Sequence, residues 1–261
     1  MSTLRKYFRL MGKLPFTLRG LDYASSTPLS NWQNGIAPAL GISAETARDN
    51  PLEVFFDNHK AGHGIWKFRH YFDIYHRHFS RFVGKEVHVL EIGVYSGGSL
   101  EMWSHYFGPQ CHIYGVDIEP ACKCYESEKV SISIGDQADR DFWRDFKSRV
   151  PRIDILIDDG GHHPDQQIAT LEEMLPHLSP GGVYLCEDAH DVHNGFSAYV
   201  HGLAKNLNDM TGDHPSVLQK WVPSIHLYPY VTVIEKSLTP LERFEAPKHG
   251  TEWQPWGPKN G

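Results

Sequence analysis

The chain has 261 residues, 40% of them hydrophobic, and a formal net charge of −7 at pH 7. That length accommodates one α/β domain with a sizeable core, or one domain with a small appendage. The acidic balance, with no basic stripe interleaved with aromatics in the body of the chain, argues against nucleic acid and for small-molecule partners. No apolar run approaches the roughly 18 residues of a transmembrane segment.

The first 21 residues carry Arg5, Lys6, Arg9, Lys13 and Arg19 with no acid, alternating with Leu4, Phe8, Met11 and Leu14. Such a basic arm suits an anionic surface, a sister subunit in a homo-oligomer, or a solvated extension. Residues 23–50, rich in Ser, Pro, Asn and Gly, read as a loop, so an N-terminal segment of arm and loop spans 1–52. In "GIWKFRHYFDIYHRHFSRF", residues 64–82, Ile65, Phe68, Phe72, Tyr75, Phe79 and Phe82 recur at steps of three and four. The spacing predicts a helix with one apolar stripe on the core, where Tyr75 packs. Lys60, His63, His70 and Tyr71 accompany it, and His63 and His70 are candidates to face a ligand site.

From residue 86 onward short β-rich runs alternate with helix-compatible stretches, as in a parallel sheet with crossover helices. The predicted strands are 87–92, 112–117, 130–134, 153–158 and 182–187. In "IDILID" and "GVYLCE" the apolar residues run nearly unbroken, as central strands buried on both faces require. "SIHLYP" and "YVTVIEK" lie too close for a crossover helix and so form an antiparallel hairpin added to the sheet. The expected fold class is α/β: a doubly wound, Rossmann-like sheet of seven strands, mostly parallel, with helices on both faces, in a domain over 53–237. The tail, 238–261, has four prolines and reads as irregular. Cys111, Cys122, Cys124 and Cys186 lack the paired spacing of a zinc site and read as reduced residues of a cytoplasmic protein, Cys186 in the core.

The first strand ends in "LEIGVYSGGSL". A glycine-bearing turn from strand to helix brings backbone close to a ligand and aims the helix N-terminus at it. Gly93, Gly97 and Gly98 fit neither G-x-G-x-x-G nor G-x-x-x-x-G-K-[ST], which weakens the dehydrogenase and nucleotide-triphosphate readings. Asp117, 24 residues beyond Gly93, is placed to accept both hydroxyls of a ribose. Asp136, in "IGDQAD", falls at the adenine end of the same crevice, or caps the helix that follows. Three successive strand ends suited to one nucleoside point to a nucleoside-bearing cofactor.

In "LIDDGGHH" and "CEDAH", Asp158 and Asp159 and then Glu187 and Asp188 end neighbouring strands about 4.8 Å apart. Clustered carboxylates resist ionisation unless a cation neutralises them, and an all-oxygen set favours magnesium, manganese or calcium over zinc.

In their order and spacing, "EIGVYSGG", "GVDIE", "IGDQAD", "DILIDDGGHH" and "GGVYLCEDAH" resemble the class I S-adenosylmethionine-dependent methyltransferases. More narrowly they are similar to the metal-dependent sugar O-methyltransferases of the macrocin and mycinamicin type, a group with relatives named after cephalosporin hydroxylase. The resemblance covers about residues 53 to 235 and departs from the motif E-x-G-x-G-x-G at Tyr95. It implies S-adenosylmethionine as donor, at Glu91, Gly93, Tyr95, Ser96, Gly97, Asp117, Ile118, Asp136, Gln137 and Asp158. It also implies Mg2+ or Mn2+ on Asp159, Glu187 and Asp188, and His162 as the base that takes the proton of a sugar hydroxyl, with His163 and His190 as alternatives. The acceptor implied is a glycosylated natural product, as in antibiotic biosynthesis, or a glycoconjugate, and His190, Asp191, His193 and Asn194 extend from the metal strand toward such hydroxyls. An O-methyltransferase acting on a catechol or other diol would use similar ligands. A non-catalytic, nucleoside-binding accessory protein would need neither the acids nor the histidine.

Overall fold

A computed structural model describes residues 50–190, 195–210 and 212–251. The basic arm, the loop up to residue 49, Asp191, His193, Asn194 and residues 252–261 lie outside the described residues. The described residues form one compact unit. It opens with α1 (Pro51–Asn58), where the Asn50 side chain accepts the Leu52 N–H and Pro51 occupies the first turn. Helix α2 (Arg69–Phe79) runs on into a 3₁₀ turn, Ser80–Phe82.

The predicted helix over 64–82 is therefore shorter at its front. Phe68 is the N-cap, in extended backbone, and residues 64–68 form a loop. The cause is tertiary: the loop carries the Lys67 ammonium to a group of buried carboxylates, described below, and that pairing outweighs the local periodicity.

The remaining elements follow as β1 (Val87–Ile92), α3 (Gly98–Phe107), β2 (Cys111–Asp117), β3 (Val130–Ile134), α4 (Arg140–Arg149), β4 (Ile153–Asp158), α5 (Pro164–Met174), β5 (Leu178–Cys186), α6 (Gly195–Leu207), α7 (Val217–Trp221), β6 (Ser224–Tyr228) and β7 (Val231–Glu235). The sheet has seven strands in the order β3-β2-β1-β4-β5-β7-β6. The first five are parallel, and β7 pairs antiparallel with both β5 and β6, as the hairpin reading required. Strand β5 starts at Leu178 rather than 182 and stops at Cys186, so Glu187 lies just beyond it. The described tail, 238–251, has no regular structure.

Each strand feeds two cores because successive side chains point to opposite faces. Val89, Ile155, Val183 and Val233 meet Phe72, Tyr75, Trp103 and Phe107 on one face. Leu90, Leu156, Tyr184 and Ile234 meet Trp143, Phe146, Leu171 and Phe196 on the other. A fully buried side chain of this size contributes roughly 1.5–3 kcal/mol, so the sheet is a rigid platform for the loops above it. Cys111, Cys122 and Cys186 are buried and Cys124 exposed, all four as free thiols. No helix among the described residues is long and apolar enough to cross a membrane. The strand order reverses between β1 and β4, and that switch point opens a crevice beyond the carboxyl ends of the strands.

Candidate active site

The crevice has a volume of about 720 Å³. One wall is the turn after β1. Gly93 has φ +89°, and a Cβ there would lie 2.0 Å from the Asp159 carbonyl oxygen. Only glycine lets this turn abut the loop after β4. Gly97, at φ +75°, caps α3.

Asp117 ends β2 and holds the turn in place. Its Oδ2 accepts the Val94 and Tyr95 N–H groups at 2.8 and 3.1 Å, and its Oδ1 accepts the Glu119 N–H at 2.9 Å. A carboxylate offers about four acceptor positions, so about one stays open to the crevice. Asp136 accepts the Ala138 N–H in a tight turn, and the cap of α4 is Asp139 instead.

Seven of the ten positions expected to hold the donor line the crevice: Gly93, Tyr95, Ser96, Asp117, Ile118, Asp136 and Gln137. Glu91, Gly97 and Asp158 stand behind it. Glu91 is buried and accepts from Ser99 Oγ at 2.7 Å and Trp103 Nε1 at 3.1 Å. Asp158 is 1% exposed and accepts from Gln137 Nε2 at 2.9 Å, and Gln137 Oε1 in turn takes the Gly161 N–H at 2.8 Å. These two acids brace the loops, because the pleat turns their side chains into the layers under the crevice. Burial pushes the Asp158 carboxyl up to about 6 and raises Glu91 above its usual range.

The opposite wall holds the acids that follow β4 and β5. Asp159, His162 and Asp188 each offer a ligand atom within 4.8 Å of the other two. His162 Nε2 lies 3.7 Å from Asp188 Oδ2 and 4.0 Å from Asp159 Oδ1. Glu187 also lines the crevice, but its carboxylate is already held. The Lys67 ammonium, with a side chain 3% exposed, reaches both Glu187 oxygens at 3.0 Å and Asp159 Oδ2 at 2.5 Å. Tyr75 donates to Glu187 Oε1 at 2.6 Å, and Tyr71 to Asp188 Oδ1 at 2.6 Å. For Glu187 to reach a cation, Lys67 must withdraw.

Burial opposes the charge of Lys67, yet the carboxylates of Glu187, Asp159 and Glu91 hold its pKa above the ordinary value. Burial raises Glu187, against the pull of Lys67. Burial also raises both phenols, which stay protonated donors.

Tyr75 is thus a packing residue with a polar task, Tyr71 of the same cluster reaches Asp188, and Lys67 was not foreseen. The available signal was a lysine set between Trp66 and Phe68 ahead of two tyrosines four apart. His63 instead meets Glu101 at 2.7 Å, and His70 meets the Pro229 carbonyl at 3.0 Å, and neither lines the crevice. His163 is the N-cap of α5 and does not line the crevice, whereas His190 does.

Backbone strain marks the same place. The non-glycine residues with positive φ among those described are Tyr95, His162, Asp188 and Tyr230. The first three line the crevice, and Tyr230 stands against His190, ring centroids 5.2 Å apart. Strained residues persist where surrounding contacts over-determine them, and they cluster at functional sites.

A doubly wound sheet with an antiparallel β7 between β5 and β6, and a crevice at the switch point, is the Rossmann-like methyltransferase fold. Residues 90–189 match the family model described as "Methyltransferase domain". It is 32% identical over 250 residues to demethylmacrocin O-methyltransferase of Streptomyces fradiae, covering 86% of this chain and 62% of that one. It is 32% identical to mycinamicin VI 2''-O-methyltransferase of Micromonospora griseorubida, covering 62% and 47%. A solved structure of MycE methyltransferase from the mycinamycin biosynthetic pathway, in complex with Mg and SAH, superposes with a TM-score of 0.59 at 27% identity. That superposition covers 72% of this chain and 54% of that one. The chain spans less than two thirds of the length of each of these relatives.

Proposed function

We propose that the protein transfers a methyl group from S-adenosylmethionine to a hydroxyl of a sugar on a glycosylated small molecule, assisted by a divalent cation. The observation that supports it best is the contact between the two halves of the site. The Gly93 turn is pressed onto the backbone of Asp159, so donor wall and carboxylate wall meet at one point, with His162 beside it.

The residues fit both groups. Ile118, 67% exposed, and Tyr95 offer apolar surface to a flat ring beside Asp117 and Asp136. Asp159 and Asp188 supply the oxygen donors of a magnesium or manganese site, with Glu187 behind them. A cation there would acidify an acceptor hydroxyl. The chain's own part is alignment and proton removal. Asp188 and Asp159 flank His162, and that ring is the group placed to take the hydroxyl proton as the oxygen–carbon bond forms and the carbon–sulfur bond breaks. Trp66, 87% exposed, and Phe68 present an aromatic wall suited to the apolar body of the acceptor.

The relatives named as O-methyltransferases of demethylmacrocin and mycinamicin VI support this reading. The net charge of −7, with no basic stripe interleaved with aromatics in the body of the chain, is consistent with a small-molecule acceptor. The test is calorimetric titration of S-adenosylhomocysteine and of magnesium into the protein and into Asp159→Ala. Both ligands are expected to bind, with only the metal signal lost in the variant. Donor binding without any metal binding would overturn the metal-assisted mechanism. Methylation of a catechol but of no glycoside would move the acceptor to the diol class.

A further inference from the structure

A second group of metal-binding residues lies outside the crevice. His78 on α2, His226 on β6 and Glu235 on β7 each offer one ligand atom within 4.8 Å of the other two. The fold makes this juxtaposition. Ser224 pairs with Glu235 and His226 with Val233, so His226 and Glu235 are diagonal neighbours on one face of the hairpin. Helix α2 packs on that face through Phe72, Tyr75 and Phe79, against Val231 and Val233, and this brings His78 over the pair. The His78 and His226 rings are 4.7 Å apart, His78 Nδ1 lies 3.0 Å from Glu235 Oε1, and the His78 side chain is 3% exposed.

We infer that His78, His226 and Glu235 form a site for a zinc-class divalent cation, separate from the catalytic carboxylates. Two imidazoles and one carboxylate are the donor set that borderline d-block ions prefer, whereas the crevice acids suit hard cations. With bonds of about 2.0–2.1 Å, tetrahedral ligands stand about 3.3 Å from one another, so atoms now within 4.8 Å close by at most about 1.5 Å. Ser224 Oγ, 3.0 Å from His226 Nε2, or a water completes the four.

One group must yield: Arg81 meets Glu235 Oε1 at 3.0 Å, whereas Tyr228 meets the other His78 nitrogen, Nε2, at 3.0 Å and can stay as its outer partner. The Arg81 side chain is 43% exposed and can turn to solvent. The bound ion would tie α2 to the β6–β7 hairpin, and α2 is the helix whose Tyr71 and Tyr75 hold Asp188 and Glu187.

Cobalt(II) titrated into the chelator-treated full chain tests this through the visible absorption of the tetrahedral ion. Wild type and Asp159→Ala are expected to give the same intense tetrahedral band. His226→Ala and the isosteric Glu235→Gln should each weaken cobalt affinity by at least about 100-fold, beyond what loss of an outer-sphere partner costs. Zinc should raise the Tm of wild type but not of those two variants. Absence of a tetrahedral band in wild type would overturn the site, as would a band lost in Asp159→Ala and kept in both His226→Ala and Glu235→Gln. The second result would place the ion in the crevice.

Discussion

Replacing Lys67 with methionine is the sharpest perturbation of the crevice. Methionine keeps most of the volume and removes the ammonium that now satisfies both oxygens of Glu187 and one of Asp159. Glu187 is 1% exposed, so its charge has no solvent to fall back on. Breaking a buried ion pair by deleting one partner costs about 3–5 kcal/mol. The low end applies here, because Tyr75 still donates to Glu187 and the carboxyl can take up a proton. A loss of about 3 kcal/mol lowers Tm by roughly 6–12 °C in a domain of this size.

Two further signatures separate this cause from a packing defect. Without Lys67 the Glu187 carboxyl rises further above its ordinary 4.5. A carboxyl raised in the folded state takes up its proton there first, so stability returns as pH falls. Glu187 of wild type is itself pushed up to about 8, so the deficit is widest well above pH 8 and narrows as pH falls toward 8. Magnesium should then stabilise the variant more than wild type, since the acids have lost their internal cation; at about 100 times Kd the gain is about 2.7 kcal/mol. Thermal and urea denaturation at several pH values, with and without magnesium, read all three. A variant as stable as wild type at alkaline pH, or one that magnesium stabilises less than wild type, would refute the reasoning.

Other expectations follow from the same geometry. His162→Gln should lower turnover by about 10²–10⁴ while calorimetry finds S-adenosylhomocysteine affinity unchanged; a loss of that affinity would move His162 from proton transfer to donor binding. Gly93→Ala forces a Cβ to 2.0 Å from the Asp159 carbonyl at φ +89° and should cost about 1–3 kcal/mol in urea denaturation, with donor binding lost; normal binding would show that the two walls are not pressed together. Burial holds His88 and His177 below the ordinary 6.5. The unfolded chain therefore takes up their protons first, and stability should fall as pH drops below about 6.5. The urea midpoint compared at pH 7.5 and 5.5 measures that slope, which His88→Gln with His177→Gln should flatten; an unchanged slope would assign it to other groups.

Local pattern was enough for the sheet. Nearly unbroken apolar runs in β4 and β5 can only be central strands, and the short gap between β6 and β7 leaves no room for a crossover. The carboxyl-terminal acids and the glycine turn were equally visible, because a residue at the end of a parallel strand has its place set by chain order alone. Which of those acids face the crevice was decided by the pleat and by burial: Asp159 looks out, and its neighbour Asp158 is turned inward onto Gln137. Lys67 was beyond reach of any local rule, because its three carboxylate partners come from β1, the end of β4 and the end of β5, 24 to 120 residues away. The same holds for His78, His226 and Glu235, which only the packing of α2 on the hairpin brings together. Periodicity and turn chemistry act over a few residues and so can be read along the chain, whereas charge pairing and metal coordination act through space and wait for the fold.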